Sequence, residues 1–301
     1  SFEGQPPSTN FYQNKIGQAL RLRNSASLPS EGTNCFRLIH GEGDGLPGLI
    51  VDYYDGAAVI QAHSVGMHED RKVISSALQE MLSGIQTVYF KSQSTLPGKI
   101  RDVRQDEYLF GMGVIPHVIN ENGNRFYVDW EEGQKTGFFL DQRENRKLVS
   151  NFSKGKRVLN TFCYTGGFSV YAMNAMAEIV HSVDSSEKAI TLTRKNIVLN
   201  GFDESIHECF AVDTFDFLKD KQDKYDVIIL DPPAFAKHRD ARHQAVKGYQ
   251  RLNTEAMRLI RPGGIIFTFS CSQVVDRKLF YDTVVSAAIH AGRQIKVLHH
   301  L

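Results

Sequence analysis

An α/β chain is predicted, with a mostly parallel sheet over residues 131–301, a small strand-rich α+β domain over 33–130 and a lead-in segment or linker over 1–32. Three observations carry this expectation. Before Trp130, short apolar stretches are separated by Gly and Asp turns, as in a compact strand-rich unit. After Trp130, strand-like and helical stretches alternate regularly, which implies parallel strands joined by right-handed crossovers. Polar and acidic residues stand directly after the later strands, at the edge where such sheets bind ligands.

The elements follow in order. Pro6-Pro7-Ser8-Thr9-Asn10 is a breaker cluster, and residues 11–23, with Ile16 and Leu20 among Lys and Arg, read as a short basic helix. Strands are expected at 36–40, 48–52 and 57–62, between the turns Gly43-Asp44-Gly45 and Asp55-Gly56. Val73, Ile74, Ala77, Leu78, Met81 and Leu82 have helical spacing over 69–82, closing at Ser83-Gly84. Strands return at 87–91 and 114–120, and Asn122-Gly123 predicts a hairpin into 125–128. In the second half, strands at 157–160, 179–184, 207–212, 226–230 and 264–270 alternate with helices at 168–176, 187–200, 214–218 and 248–260.

Composition excludes several classes. The chain has 35 basic and 34 acidic side chains, a net charge of +1, so any nucleic-acid affinity must come from a local patch. No apolar run reaches the roughly 18 residues of a spanning helix, and no basic-then-apolar leader opens the chain; a cytoplasmic protein without a membrane partner is expected. Cys35, Cys163, Cys209 and Cys271 are scattered without zinc spacing, which fits free thiols in a reducing compartment and no metal.

The chemistry-bearing residues follow the strands. After the first parallel strand comes Asn160-Thr161-Phe162-Cys163-Tyr164-Thr165-Gly166-Gly167, where the glycines permit a tight turn and close approach of backbone N–H groups to a ligand at a helix N-terminus. It is not the GxGxxG of dinucleotide binding. After the second, Asp184-Ser185-Ser186 suits the hydroxyls of a ribose, and equally an N-cap. Asp213-Thr214, after the third, suits an adenine amino group or, again, an N-cap. Asp231-Pro232-Pro233-Ala234-Phe235 follows the fourth; two prolines stiffen the loop that presents the carboxylate and the aromatic ring. After the fifth stands Cys271 between Ser270 and Ser272, a candidate nucleophile at the same sheet edge as Asp231. Upstream, Phe139 offers an apolar wall, while Asp141 and Arg143 could face an amino acid's ammonium and carboxylate; Asp141 as a helix N-cap is the other reading. Lys237, Arg239 and the following Arg242, His243 and Lys247 form the best local basic patch, or a solvated loop.

Taken together, residues 160–169, Asp184, Asp213 and Asp231-Pro232-Pro233 resemble the cofactor motifs of the Rossmann-like class I methyltransferases. Gly43-Asp44-Gly45-Leu46-Pro47-Gly48-Leu49, the stretch Lys135-Thr136-Gly137-Phe138-Phe139-Leu140-Asp141-Gln142-Arg143, and Ser270-Cys271-Ser272 narrow the likeness. They resemble the large-subunit ribosomal RNA cytosine carbon-5 methyltransferases that carry an N-terminal PUA domain. The likeness runs from about Phe11 to Leu301. Members of that family begin with the PUA domain, which this chain lacks, and end with one more strand beyond 295–301, so six strands are expected here instead of seven.

The resemblance implies S-adenosyl-L-methionine as cofactor, bound by Phe139, Asp141, Arg143, Asn160, Phe162, Tyr164, Thr165, Gly166, Gly167, Asp184, Ser185, Ser186, Asp213, Thr214 and Asp231, with residues 135–143 folding over its methionine end. It implies RNA as partner, with a homodimer left open. Cys271 would add to carbon-6 of cytosine, since carbon-5 is too weak a nucleophile unaided, and Asp231 would hydrogen-bond the ring nitrogen. Pro232, Pro233, Phe235, Lys237 and Arg239 would meet the flipped-out base and its strand. Many RNA cytosine methyltransferases have a second Cys at the position of Asp231, so the base that removes the carbon-5 proton is unassigned. A guanine or adenine base-nitrogen methyltransferase is the nearest rival and leaves Cys271 without a role; a non-catalytic RNA-binding protein is another.

Overall fold

The computed structural model describes residues 8–95, 105–219, 224–236 and 238–300. The chain divides into two compact units, Ser1–Arg143 and Glu144–Leu301.

In the first unit, helix α1 (Thr9–Ser25) is N-capped by Ser8, whose Oγ accepts from the Phe11 N–H at 3.4 Å. It is longer than expected and is no linker. Tyr12, Ile16 and Ala19 are buried in one core with Ile74, Ala77 and Leu78, because helical spacing puts them on a single face. Five strands follow, β1 (Cys35–His40), β2 (Leu49–Tyr54), β3 (Ala57–Ala62), β4 (Thr87–Phe90) and β5 (Glu107–Phe110), hydrogen-bonded in that order. Only β3 and β4 are parallel, connected through α2 (Val65–Glu69) and α3 (Arg71–Met81). The helix expected over 69–82 is α3; α2 precedes it, and between them stands Asp70, whose carboxylate accepts the Tyr12 hydroxyl at 2.6 Å. β5 was not expected from the sequence. Asn122 and Gly123, both at positive φ (50° and 79°), turn β6 (His117–Glu121) into β7 (Asn124–Val128).

The boundary lies thirteen residues beyond Trp130, at Arg143, because the connecting stretch stays bonded to the first unit. Lys91 Nζ donates to the Gly133 carbonyl at 2.5 Å, and Thr136 Oγ1 donates to the buried Asp52 at 2.7 Å while meeting the Tyr54 hydroxyl at 2.9 Å. Phe138 packs on Phe126 with ring centroids 5.0 Å apart.

The second unit is the expected parallel sheet: β8 (Arg157–Thr161), β9 (Ile179–Asp184), β10 (His207–Ala211), β11 (Tyr225–Leu230) and β12 (Ile260–Thr268), in the order β10-β9-β8-β11-β12. Helices α4 (Arg143–Ser150), α5 (Gly167–Asn174), α6 (Glu187–Leu199), α7 (Thr214–Lys219), α8 (Arg242–Leu259) and α9 (Arg277–Ala291) accompany it. The core joins Leu159, Val183, Ile228 and Leu230 of the sheet to Leu252, Ala256 and Leu259 of α8. The sheet has five strands among the described residues, not six: Ile295, Val297 and Leu298 stand exposed outside any strand. Arg261-Pro262-Gly263-Gly264 forms a bulge inside β12, between the pairs Tyr225↔Ile260 and Val227↔Ile265. A Cβ at Gly264 would lie 2.9 Å from the Asp226 carbonyl, so that approach needs glycine. α9 escaped the sequence reading because its apolar residues lie all round rather than in a stripe.

Thr161 pairs with both Val183 and Leu230, and Leu230 with Thr268, so the carboxyl ends of the strands share one edge. The order reverses between β8 and β11, the switch point at which doubly wound sheets open a crevice. No helix among the described residues is long and apolar enough to cross a membrane.

Candidate active site

The turn after β8 is held in an unusual shape. Phe162 and Tyr164 both take positive φ (54° and 48°), and Gly166, at φ 72°, caps α5. L-residues occupy that region only when surroundings hold them there, and the hydrogen bonds show what does. The Cys163 N–H donates to the Val183 carbonyl at 3.0 Å, and the Tyr164 N–H to Asp184 Oδ2 at 3.0 Å. On α6, Thr193 Oγ1 donates to the Tyr164 carbonyl at 3.1 Å and Asn196 Nδ2 to the Thr165 carbonyl at 2.8 Å. A Cβ at Gly166 would lie 2.6 Å from Thr193 Cγ2, so helix and turn touch with no room for a side chain.

Thr193 and Asn196 were missed in the sequence. The signal was there: two polar residues three apart on the face of α6 that also carries Ala189, Ile190 and Ile197, all buried.

Asp184 is half-buried, and its two oxygens accept from Tyr164 N–H and from Ser186 N–H (2.9 Å). A carboxylate has about four lone-pair sites, so acceptor capacity for hydroxyls remains. It does not cap α6; Ser186 does, accepting from the Ala189 N–H at 3.3 Å, while Ser185 is exposed. At the next strand the capping role falls on the acid itself. Exposed Asp213 accepts on Oδ1 from Phe215 and Asp216 N–H groups (2.8 and 3.2 Å). The buried Thr214 hydroxyl beside it has no hydrogen-bond partner among the described residues.

Asn160 lies beneath the edge, wholly buried, its Nδ2 donating to Ser169 Oγ at 2.9 Å and its Oδ1 unpartnered. From Ser169 a buried polar chain continues through Ser182 (2.7 Å) to His207 Nε2 (2.8 Å). Burial, with His181 and Arg194 nearby, pushes the His207 pKa down to about 4, so the ring is neutral. Burial likewise raises the thiol pKa of Cys163 far above the usual range, which makes it inert.

On the other side of the switch point, Asp231 is half-buried, Pro232 buried and Pro233 exposed. Phe235 packs on Tyr249 (4.7 Å between centroids) and faces Phe215 at 6.3 Å, so its ring is partly used in packing. Cys271 is the exposed cysteine, and its Sγ donates to the Pro232 carbonyl at 3.6 Å, which places the thiol beside the Asp231-Pro232-Pro233 loop. Its neighbour Ser272, cited in the sequence only as polar surroundings, holds the two loops together. Its buried Oγ meets the Tyr249 hydroxyl at 2.9 Å and accepts from the Ala236 N–H at 3.4 Å. Phe269, anchored to the Leu230 carbonyl, stacks on Phe168 of α5 at 5.8 Å.

Phe139, Asp141 and Arg143 belong to the first unit. Lys135 Nζ sits 4.5 Å above the Phe139 ring and 3.7 Å from exposed Asp141. Asp141 lies in a 3-10 turn (Leu140–Gln142) rather than at the cap of α4, and Arg143 Nη1 reaches the Cys35 carbonyl at 3.5 Å. Arg239 is exposed in the turn before α8, and Lys237 lies outside the described residues.

Residues 36–291 match the S-adenosylmethionine-dependent methyltransferase family. The chain is 38% identical over 297 residues to the ribosomal RNA large subunit methyltransferase I of Aeromonas hydrophila, covering 97% of this chain and 74% of that protein. The protein of the same name from Alteromonas mediterranea is 36% identical over 301 residues, with the same coverage. Among solved structures, a protein of Streptococcus mutans assigned as a SAM-dependent methyltransferase superposes with a TM-score of 0.82 at 24% identity, over 95% of this chain and 73% of that one. A methyltransferase complexed with SAH also gives 0.82 at 24% identity, over 95% and 74%. The chain belongs to the S-adenosylmethionine-dependent methyltransferase family. Its residues fit that cofactor: a carboxylate with acceptor capacity at Asp184, a glycine turn closed to any Cβ at Gly166, and an unpartnered buried hydroxyl at Thr214.

Proposed function

We propose that this methyltransferase forms 5-methylcytosine in large-subunit ribosomal RNA through a covalent adduct on Cys271. The observation that carries the reading is the exposed Cys271 thiol, 3.6 Å from the Pro232 carbonyl at the carboxyl edge of the sheet. The name carried by the relatives, ribosomal RNA large subunit methyltransferase I, supports the RNA substrate.

Asp184 would take the ribose hydroxyls, the turn Phe162–Gly167 would lie along the cofactor, and Asp213 and Thr214 would face the adenine. When bound, S-adenosylmethionine supplies a methyl carbon made electrophilic by its sulfonium. The chain's own part concerns the base. The Cys271 thiolate forms a bond to carbon-6, and the electron pair of the carbon-5–carbon-6 double bond moves to make carbon-5 nucleophilic. Asp231 shares a proton with the ring nitrogen, where charge builds. After transfer, the carbon-5 proton passes to a solvent water, and its electron pair restores the double bond, expels the sulfur and returns the thiolate. Pro232 and Pro233 keep the carboxylate from swinging away. Arg239 and Lys237 would meet the strand.

An RNA carrying 5-fluorocytosine tests this directly, because fluorine cannot leave as a proton does. Incubation with S-adenosylmethionine should give a protein–RNA adduct stable to denaturing gels, mapped to Cys271 by mass spectrometry. Methylation of RNA without any adduct, with the methyl group on a guanine or adenine nitrogen, would replace this reading with the base-nitrogen one.

A further inference from the structure

The chain has a net charge of only +1, yet one helix face in the second unit is charged with a single sign. From Arg242 to Thr254, α8 carries Arg242, His243, Lys247 and Arg251 and no carboxylate. His243, Lys247 and Arg251 follow each other at i, i+4 and i+8, so they form one stripe, with about 6 Å of rise between neighbours. All three are exposed, whereas Ala245, Tyr249 and Leu252 on the opposite face are buried.

The acids of this region are mostly paired, two of them with basic residues of the helix itself. Asp276 pairs with Arg242 at 3.4 Å, Glu255 with Arg258 at 3.0 Å, and Asp216 with Lys219 while also facing Arg251; exposed Asp240 remains at the head of the stripe. Arg251 is held in place, its guanidinium 4.7 Å from the centre of the Phe215 ring. The helix that carries the stripe also borders, through its other residues, the edge that holds Cys271. Gly248 lies so close to Phe235 that a Cβ there would sit 3.0 Å from the ring, and Tyr249 meets Ser272, next to Cys271.

We infer that the exposed face of α8, through His243, Lys247 and Arg251, is a track for the phosphates of the RNA strand that carries the target base. Two cations one helical turn apart, Lys247 and Arg251, with the His243 ring as a further donor in line, suit a repeating polyanion better than one isolated phosphate, and a nearly neutral chain gains its RNA affinity from such a local patch. The inference rests on the RNA-methylating reading above.

The test is fluorescence anisotropy of a labelled single-stranded RNA between about 50 and 200 mM salt. The parent is compared with a Lys247→Gln/Arg251→Gln double variant and with a control, Lys154→Gln/Lys195→Gln, that removes the same charge elsewhere. The stripe variant should bind about tenfold more weakly, with a salt slope shallower by about 1.4, or roughly 0.7 per lost phosphate contact. The control should keep the parent's slope, and calorimetric binding of S-adenosylhomocysteine should be equal in all three. An unchanged slope in the stripe variant, or an equal loss in the control, overturns the track while the RNA reading stands. A parent that shows no salt-dependent RNA binding overturns both.

Discussion

On the β8–β10 side of the sheet edge the turns are pinned by their surroundings, whereas on the β11–β12 side the Cys271 thiol is exposed and the loop that carries it is held through Ser272. Tyr164, Thr165 and Gly166 are fixed by Asp184, Thr193 and Asn196, with a buried polar chain beneath them. Cys271 makes a long contact to a carbonyl, and Ser272 does the holding. A ligand with the same shape at every turnover gains from a cradle whose ordering cost is met on folding. A thiol that must bond to an incoming base and then release it needs access and room.

The sharpest way to break this comparison is Cys271→Ala. Methyl transfer to cytosine under single-turnover conditions should fall by about three orders of magnitude or more, while S-adenosylhomocysteine affinity stays within about twofold. A comparable rate in the variant would mean that the exposed side is not the covalent one.

The next effect belongs to the cradle and to pH. With its pKa lowered to about 4 in the fold against about 6.5 when unfolded, His207 binds more protons in the unfolded chain between those values. Stability should therefore decline as pH falls from about 6.5 to 4, with this group contributing about 3 kcal/mol. Urea titrations at pH 7 and pH 4 should show that decline in the parent and in Cys271→Ala, and a smaller one in His207→Gln. Equal slopes in all three would show that the buried chain does not titrate.

Gly166→Ala sharpens the contrast in the other direction. The left-handed φ and the contact with Thr193 should cost about 1–3 kcal/mol, read as a lower denaturation midpoint, and weaken S-adenosylhomocysteine binding by about tenfold or more. Alkylation of Cys271 by iodoacetamide should keep the parent's rate. Were both to change together, the two sides would not be separately built.

The smallest expected effect is on the open side. Ser272→Ala removes the hydroxyl shared by Tyr249 and Ala236, at about 1 kcal/mol of stability. It should lower kcat several-fold with the cofactor KM unchanged, and Ser272→Thr should restore part of it. A change confined to the cofactor KM would place Ser272 with the cradle instead.

Much of this site was legible in the sequence, and the reason is local. A parallel strand buried on both faces is an apolar run, so 226–230 and 179–184 announced themselves, and the residues just after such runs must lie at one edge of the sheet. That rule alone pointed to Asp184, Asp231 and Cys271 as candidates. The fold's smaller features were less visible. β5 has only four residues, none buried, and α1 reads as a basic helix because Lys15, Arg21 and Arg23 are interleaved with the few residues that enter the core.

By itself, then, the sequence determined the alternation of elements, the polar strand ends and the place of the candidate thiol at one of them, since each depends on residues adjacent in the chain or one helical turn apart. Only the tertiary structure decided that Ser186 caps α6 while Asp213 caps its own helix, that residues 131–143 stay with the first unit, and that Thr193, Asn196 and Ser272 hold the loops. The two acids look alike in sequence. Asp184 is followed by a serine placed to take the cap, so its carboxylate turns to the Tyr164 N–H twenty positions back. Which donor a polar side chain finds depends on backbone brought beside it by packing, and hydrophobic periodicity carries no record of that choice.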